Sequence, residues 1–146
     1  MAEKAFRLEE GEEHSLGTRV VQPISNPTQG ILERIHFVRT AGSHHPFEVD
    51  LVATEFTSVC PVTGQPDFGQ VTIRYRPVDW LVESKSLKLY LGAYRQEPIF
   101  HEAVVVKICD DLFDVLMPAW IRVFGKFNSR GGIAINPSAT RSREDF

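Results

Sequence analysis

The sequence predicts an α+β fold: a four-stranded antiparallel sheet with two helices on one face. Three observations lead there. Val71, Ile73 and Tyr75 alternate with Thr72, Arg74 and Arg76, the period of a half-buried strand. Val104, Ile108, Leu112, Val115 and Leu116 recur at helical spacing. The elements also follow one another as strand, strand, helix, helix, strand, strand, which keeps the helices together between two strand pairs.

Residues 1 to about 30 hold Pro23, Pro27 and little periodicity, and read as a tail and irregular lead-in before one domain over 31–146. In the first strand Val49, Leu51 and Ala53 alternate with Glu48, Asp50 and Val52; Pro77 stops the second. The segment from Cys60 to Gly69 is too long for a two-residue turn and reads as a structured loop that exposes Cys60 and Asp67. Leu87, Tyr90, Leu91 and Tyr94 mark the first helix, with Ser84 as its N-cap. The second helix is expected from about His101 to Met117, with Pro118 ending it. Trp120–Phe127 and Gly132–Asn136 are β-like stretches, joined through the hairpin signal Asn128-Ser129-Arg130-Gly131.

At 146 residues and 42% hydrophobic composition, the chain fits one soluble domain. A net charge of -3 argues against a general nucleic-acid binder, which would be distinctly basic. No apolar run approaches the roughly 20 residues of a membrane span. The first residues lack the apolar centre of a secretory signal, and two cysteines then read as free thiols in a reducing cytoplasm.

Several side chains admit both a plain and a chemical reading. A lone cysteine such as Cys60 is commonly a small buried hydrophobe, yet its setting beside Pro61, with Thr57, Ser58, Thr63 and Asp67 near in sequence, suits a nucleophile. Cys109 lies mid-helix among valines and reads as core. Asp67 in Gln-Pro-Asp-Phe-Gly is good turn chemistry, and equally a proton carrier if it meets the thiol. His101-Glu102 opens a helix, where an acid answers the dipole; the second histidine of a zinc-protease motif is missing. Glu83, Ser84, Lys85 and Lys88 form either a solvated helix start or a basic terminus for phosphates, with Arg130 a second phosphate candidate. His44-His45 has no zinc spacing with Cys60 or His101, so no metal is expected. A Gly-x-Gly-x-x-Gly after a strand is absent, which leaves a Rossmann site unsupported.

Glu83-Ser84-Lys85-Ser86-Leu87-Lys88-Leu89-Tyr90, downstream of Glu55–Pro61 and Gly64–Phe68, resembles the signature of the NADPH-dependent 7-cyano-7-deazaguanine reductases of the QueF type, nitrile reductases of queuosine biosynthesis. The resemblance runs roughly from Glu55 to Asn136 and carries nothing onto the first 47 residues. It implies the tunnelling fold, with subunits joined edge to edge into pentameric barrels and two barrels stacked as a homodecamer. It implies Cys60 as the residue that forms a thioimide with the nitrile, Asp67 as proton donor and His101 as a relay. Glu102 would anchor the guanine edge, Phe100 would stack on the base, and Val82, Glu83 and Ser84 would contact the deazaguanine. NADPH would meet Lys85 and Lys88, and the substrate is a small molecule rather than nucleic acid. Three alternatives stand beside this reading. An amidinotransferase of the same fold should lack the lysine-bearing segment, and a zinc-dependent cyclohydrolase needs metal ligands that are missing. A module without chemistry would not be expected to hold Cys60, Asp67, His101 and Glu102 together.

Overall fold

The computed structural model describes residues 25–145. Of the expected lead-in, residues 1–24 lie outside the described part; beyond it a 3-10 turn at Gln29–Ile31 leads into the domain. The elements are β1 (Arg34–His36), β2 (Val49–Val59), β3 (Pro66–Arg76), β4 (Trp80–Val82), α1 (Ser84–Gly92), α2 (His101–Leu116), β5 (Trp120–Phe127) and β6 (Ser138–Ser142). The main sheet has four antiparallel strands in the order β2-β3-β5-β6. The expected α+β architecture is present, with the pair α1–α2 inserted between the inner strands β3 and β5.

Alternation decides which face the helices cover. Val71, Ile73 and Tyr75 of β3 and Ile121 and Val123 of β5 are buried, and they meet Val104, Ile108, Leu112 and Leu116 of α2. Truncating one such side chain to alanine costs about 2–5 kcal/mol, because the cavity cannot fully collapse. The opposite face is polar and wet, with Arg74 paired to Asp50 at 2.6 Å and Arg76 to Glu48 at 2.9 Å. Exposed pairs of this kind contribute little. Between the helices, Tyr90 donates to Asp111 at 2.6 Å and meets the Tyr94 hydroxyl at 2.8 Å, which satisfies the buried phenols.

Five expectations are corrected. First, β2 runs to Val59, beyond the 48–53 segment, because a bulge between Ala53 and Phe56 breaks its alternation. Before the bulge Val49, Leu51 and Ala53 face inward; after it Phe56, Ser58 and Cys60 do, so the buried parity changes from odd to even. Second, the loop after β2 is only residues 60–65, closed by Cys60 N–H to Gln65 O at 2.8 Å and Gly64 N–H to Cys60 O at 2.9 Å. Asp67 already belongs to β3, which Pro66 opens at the first strand position, where its missing N–H does least harm. Third, Glu83 rather than Ser84 caps α1, its carboxylate accepting from the N–H groups of Lys85 at 2.8 Å and Ser86 at 2.7 Å. Fourth, the last strand is Ser138–Ser142 rather than 132–136. The tight turn sits at Gly131 and Gly132, whose φ values of 58° and 78° suit glycine. Fifth, β1 and β4 form an additional two-stranded sheet. It holds the start of α1 through Glu83 N–H to Glu33 O at 2.9 Å and Glu33 N–H to Ser86 Oγ at 3.0 Å.

The second helix ends almost where expected. Met117 adopts a left-handed conformation at φ 46° as its cap, donating its N–H to Phe113 O at 2.8 Å ahead of Pro118. Among the described residues, no helix is long and apolar enough to cross a membrane.

Candidate active site

Three elements and one turn converge at the end of the β2–β3 hairpin. The bulge sends Ser58 and Cys60 inward, and the β2–β3 register sets Asp67 directly opposite Ser58. The N-terminus of α2 supplies His101, and the turn after β5 supplies Arg130. Arg130 Nη1 stands 3.3 Å from Cys60 Sγ, and Arg130 Nε stands 3.4 Å from Asp67 Oδ1. The other carboxylate oxygen, Oδ2, lies 3.3 Å from His101 Nε2, charge-pair distance without the alignment of a hydrogen bond. Cys60 and Asp67 are 4% and 6% exposed, which corrects the expectation of a loop that presents them to solvent. They are recessed, and their accessible chemistry depends on the groups around them.

Those groups favour a thiolate. The Cys60 thiol is brought down to about 7 by hydrogen bonds from the Thr63 side chain, then from the backbone of Thr63 and Val62, with burial opposing and Arg130 assisting. Near neutral pH a large share is therefore thiolate, the nucleophilic form. His101 is held toward its neutral form: burial lowers its pKa first, Asp67 works to raise it, and Arg130 lowers it again. A neutral imidazole can accept or donate a proton, whereas a fixed imidazolium cannot accept one.

The orientation of His101 comes from packing. Its ring stacks on Phe127 at 3.8 Å between centroids and 3° between planes. Phe127 can lie there because two strand positions are glycine. A Cβ at Gly125 would come within 2.5 Å of the Phe127 ring, and one at Gly69 within 2.8 Å of it. The sequence marked Phe127 only as a strand residue, and the two glycines, one on each of two paired strands, are the signal that a bulky ring passes nearby.

The remaining expected residues lie around this centre rather than in it. Phe100 is exposed, and Glu102 lines a shallow hollow with Ala103, Val106 and Lys107 on the outer side of α2. Glu102 reaches the site electrically, biasing His101 toward its charged form. Ser84 and Lys88 line a cleft of about 450 Å³ with Leu51, Leu87, Arg95 and the bulge residues Thr54 and Glu55. A second hollow of about 650 Å³, with Phe68, Gln70 and Lys126, lies across the same bulge. Both Glu83 oxygens are engaged in capping α1, and Val82 is buried, its N–H donated to Tyr75 Oη at 3.2 Å. Arg95 and Lys126 are cations that the sequence did not single out. Among the described residues, no group of three or more His, Cys, Asp or Glu side chains could hold a metal ion.

A family model described as "QueF-like protein" matches residues 66–145. The chain belongs to the QueF-like family. The matched span contains Asp67, the 83–88 segment, His101, Glu102 and Arg130, and begins just after Cys60. An NADPH-dependent 7-cyano-7-deazaguanine reductase of Anaeromyxobacter sp. (strain K) is 57% identical over 88 residues, which cover 60% of this chain and 72% of that one. The protein of the same name from Caulobacter vibrioides (strain NA1000 / CB15N) is 46% identical over 118 residues, 81% of this chain and 76% of that one. The one from Methylocella silvestris is 47% identical over 123 residues, 83% and 76% of the two chains. Among solved structures, the archaeosine synthase QueF-Like in its apo form superposes with a TM-score of 0.61 at 25% identity, covering 66% of this chain and 95% of that chain. The QueF-like architecture is thus the expected tunnelling fold, with its sheet, its helix pair and an additional small sheet.

Proposed function

We propose that this protein is an NADPH-dependent nitrile reductase that converts 7-cyano-7-deazaguanine to 7-aminomethyl-7-deazaguanine in queuosine biosynthesis. The observation that carries this reading is the recessed group Cys60, Arg130, Asp67 and His101, in a chain 46% identical to a relative named for that activity. The Cys60 thiol passes its proton to Asp67 as the sulfur adds to the nitrile carbon and forms the C–S bond, and Asp67 delivers that proton to the nitrogen as the thioimide forms. One hydride reduces the thioimide carbon, and collapse of the adduct expels the Cys60 thiolate to leave an imine. A second hydride and a proton complete the primary amine, so two NADPH supply four electrons. The recessed setting suits an imine, which water would hydrolyse.

In this reading His101 relays protons to Asp67. Glu102 anchors the guanine edge, Phe100 stacks on the base, and Val82, Glu83 and Ser84 border the substrate. Lys85 and Lys88 meet the NADPH phosphates, together with Arg130 once cofactor is bound. Glu102 and Phe100 are exposed and lie outside the Cys60 group, which fits a site that a second subunit completes; the homodecamer of two pentamers supplies one. The protein works in the cytoplasm, and residues 31–146 act as one domain.

Incubating the protein with the nitrile and NADPH tests this directly. Loss of NADPH absorbance with formation of the primary amine is expected. The likeness to an archaeosine synthase keeps a second reading open, an amidinotransferase that forms the same thioimide and adds ammonia. An ammonia-dependent amidine product with no NADPH consumption would establish that reading instead.

A further inference from the structure

Arg130 occupies an unusual position for a phosphate contact. Its backbone is pinned in the tight turn, with its N–H donated to Ile133 O at 2.9 Å and the Ile133 N–H returned at 3.1 Å. Its side chain reaches back to a residue 70 positions earlier in the chain. A guanidinium is a rigid plane whose donors keep a fixed separation. Here one terminal nitrogen faces Cys60 Sγ, and the inner nitrogen of the same plane faces Asp67 Oδ1. Sulfur and carboxylate are thereby held to one template.

We propose that Arg130 is a positioning residue that fixes the spacing between the Cys60 sulfur and the Asp67 carboxylate and sets a cation against the sulfur. The charged and titratable groups acting on this pair come from three places. Asp67 belongs to β3, His101 and Glu102 open α2, and Arg130 comes from the turn. The loop adds the uncharged donors of Thr63 and Val62. Arg130 is thus the cation that offsets Asp67 beside the sulfur. A carboxylate alone would hold the thiol protonated and repel the thiolate. The inference deepens the nitrile-reductase reading, yet its first readout needs neither nitrile nor NADPH.

That readout is the pH profile of Cys60 alkylation by iodoacetamide in the full-length protein, followed by peptide mass. Relative to its high-pH plateau, alkylation of Arg130→Ala below neutrality should fall about three- to tenfold, as expected for loss of a nearby opposite charge. Arg130→Lys should restore most of that profile because it keeps the charge. It lacks the fork, so thioimide formation with 7-cyano-7-deazaguanine should stay about tenfold slow. Should Arg130→Ala fail to fold by circular dichroism, Arg130→Met keeps the aliphatic stem and carries the same prediction. An unchanged alkylation profile with only a raised KM for NADPH would make Arg130 a phosphate contact alone and overturn the proposal. Full recovery of thioimide formation in Arg130→Lys would overturn the spacing role. An altered profile in a protein that does not reduce the nitrile would leave this inference standing and remove the reductase reading.

Discussion

The two cysteines have nearly the same exposure, 4% for Cys60 and 1% for Cys109, and opposite chemistry. Cys109 sits in α2 among Val105, Ile108 and Leu112, where burial first and Asp110 second push its thiol up to about 11. Cys60 sits at the end of a strand, where Thr63 and loop N–H groups bring it down to about 7. The difference shows that burial alone does not set reactivity. A buried thiol becomes a nucleophile when donors converge on the sulfur, and is held protonated where apolar packing and a neighbouring carboxylate act on it.

The strongest way to break this comparison is to remove each sulfur in turn. Cys60→Ala should abolish turnover and the mass gain expected from the nitrile in the absence of NADPH, while Cys109→Ala should retain both. Adduct at Cys109 in the parent protein would reverse the assignment. Next in size, Lys85→Ala and Lys88→Ala should weaken NADPH binding while thioimide formation at Cys60 survives. A charge-assisted contact of about 1.5–3 kcal/mol corresponds to about 10- to 150-fold in affinity. Titration calorimetry checks this, and an unaltered NADPH affinity in both variants would remove the segment from the cofactor site.

A smaller effect sharpens the account of the thiolate. Thr63→Val deletes the largest influence on Cys60, so its alkylation midpoint should move upward from about 7. A stationary midpoint would show that the backbone donors suffice. The smallest effect concerns stability. Raising the Cys109 thiol from 9.0 to about 11 means the unfolded chain releases its proton first, so stability falls as pH rises through that window. Urea midpoints of the parent and Cys109→Ala should therefore converge across it, and parallel curves would refute the coupling.

Regular elements were legible in the sequence, and irregular ones were not. β3, β5 and α2 repeat with a constant period and bury what that period selects. β6 is Ser-Ala-Thr-Arg-Ser, with no apolar alternation to read, and β1 and β4 are too short to show a period. In the site, the residues of interest could be named from chemistry and from the family resemblance, but their contacts could not. The Arg130 bridge joins positions far apart in the chain, and the inward turn of Cys60 follows from a bulge that leaves no motif. Exposure of Cys60 and Asp67 was misjudged for the same reason, because a long loop was inferred where the ladder continues.

The bulge in β2 has a consequence for how chain length can vary. Between Ala53 and Phe56 the strand advances one residue more than its partner, which runs from Val71 to Gly69. Deleting Glu55 would therefore straighten the strand while leaving Phe56, Ser58 and Cys60 on the face they now occupy. The same deletion at Thr57 would turn one side of that segment over and carry its core residues into solvent. Position 55 is thus where this hairpin can lose a residue and keep its orientation, at the cost of a group that borders both neighbouring hollows.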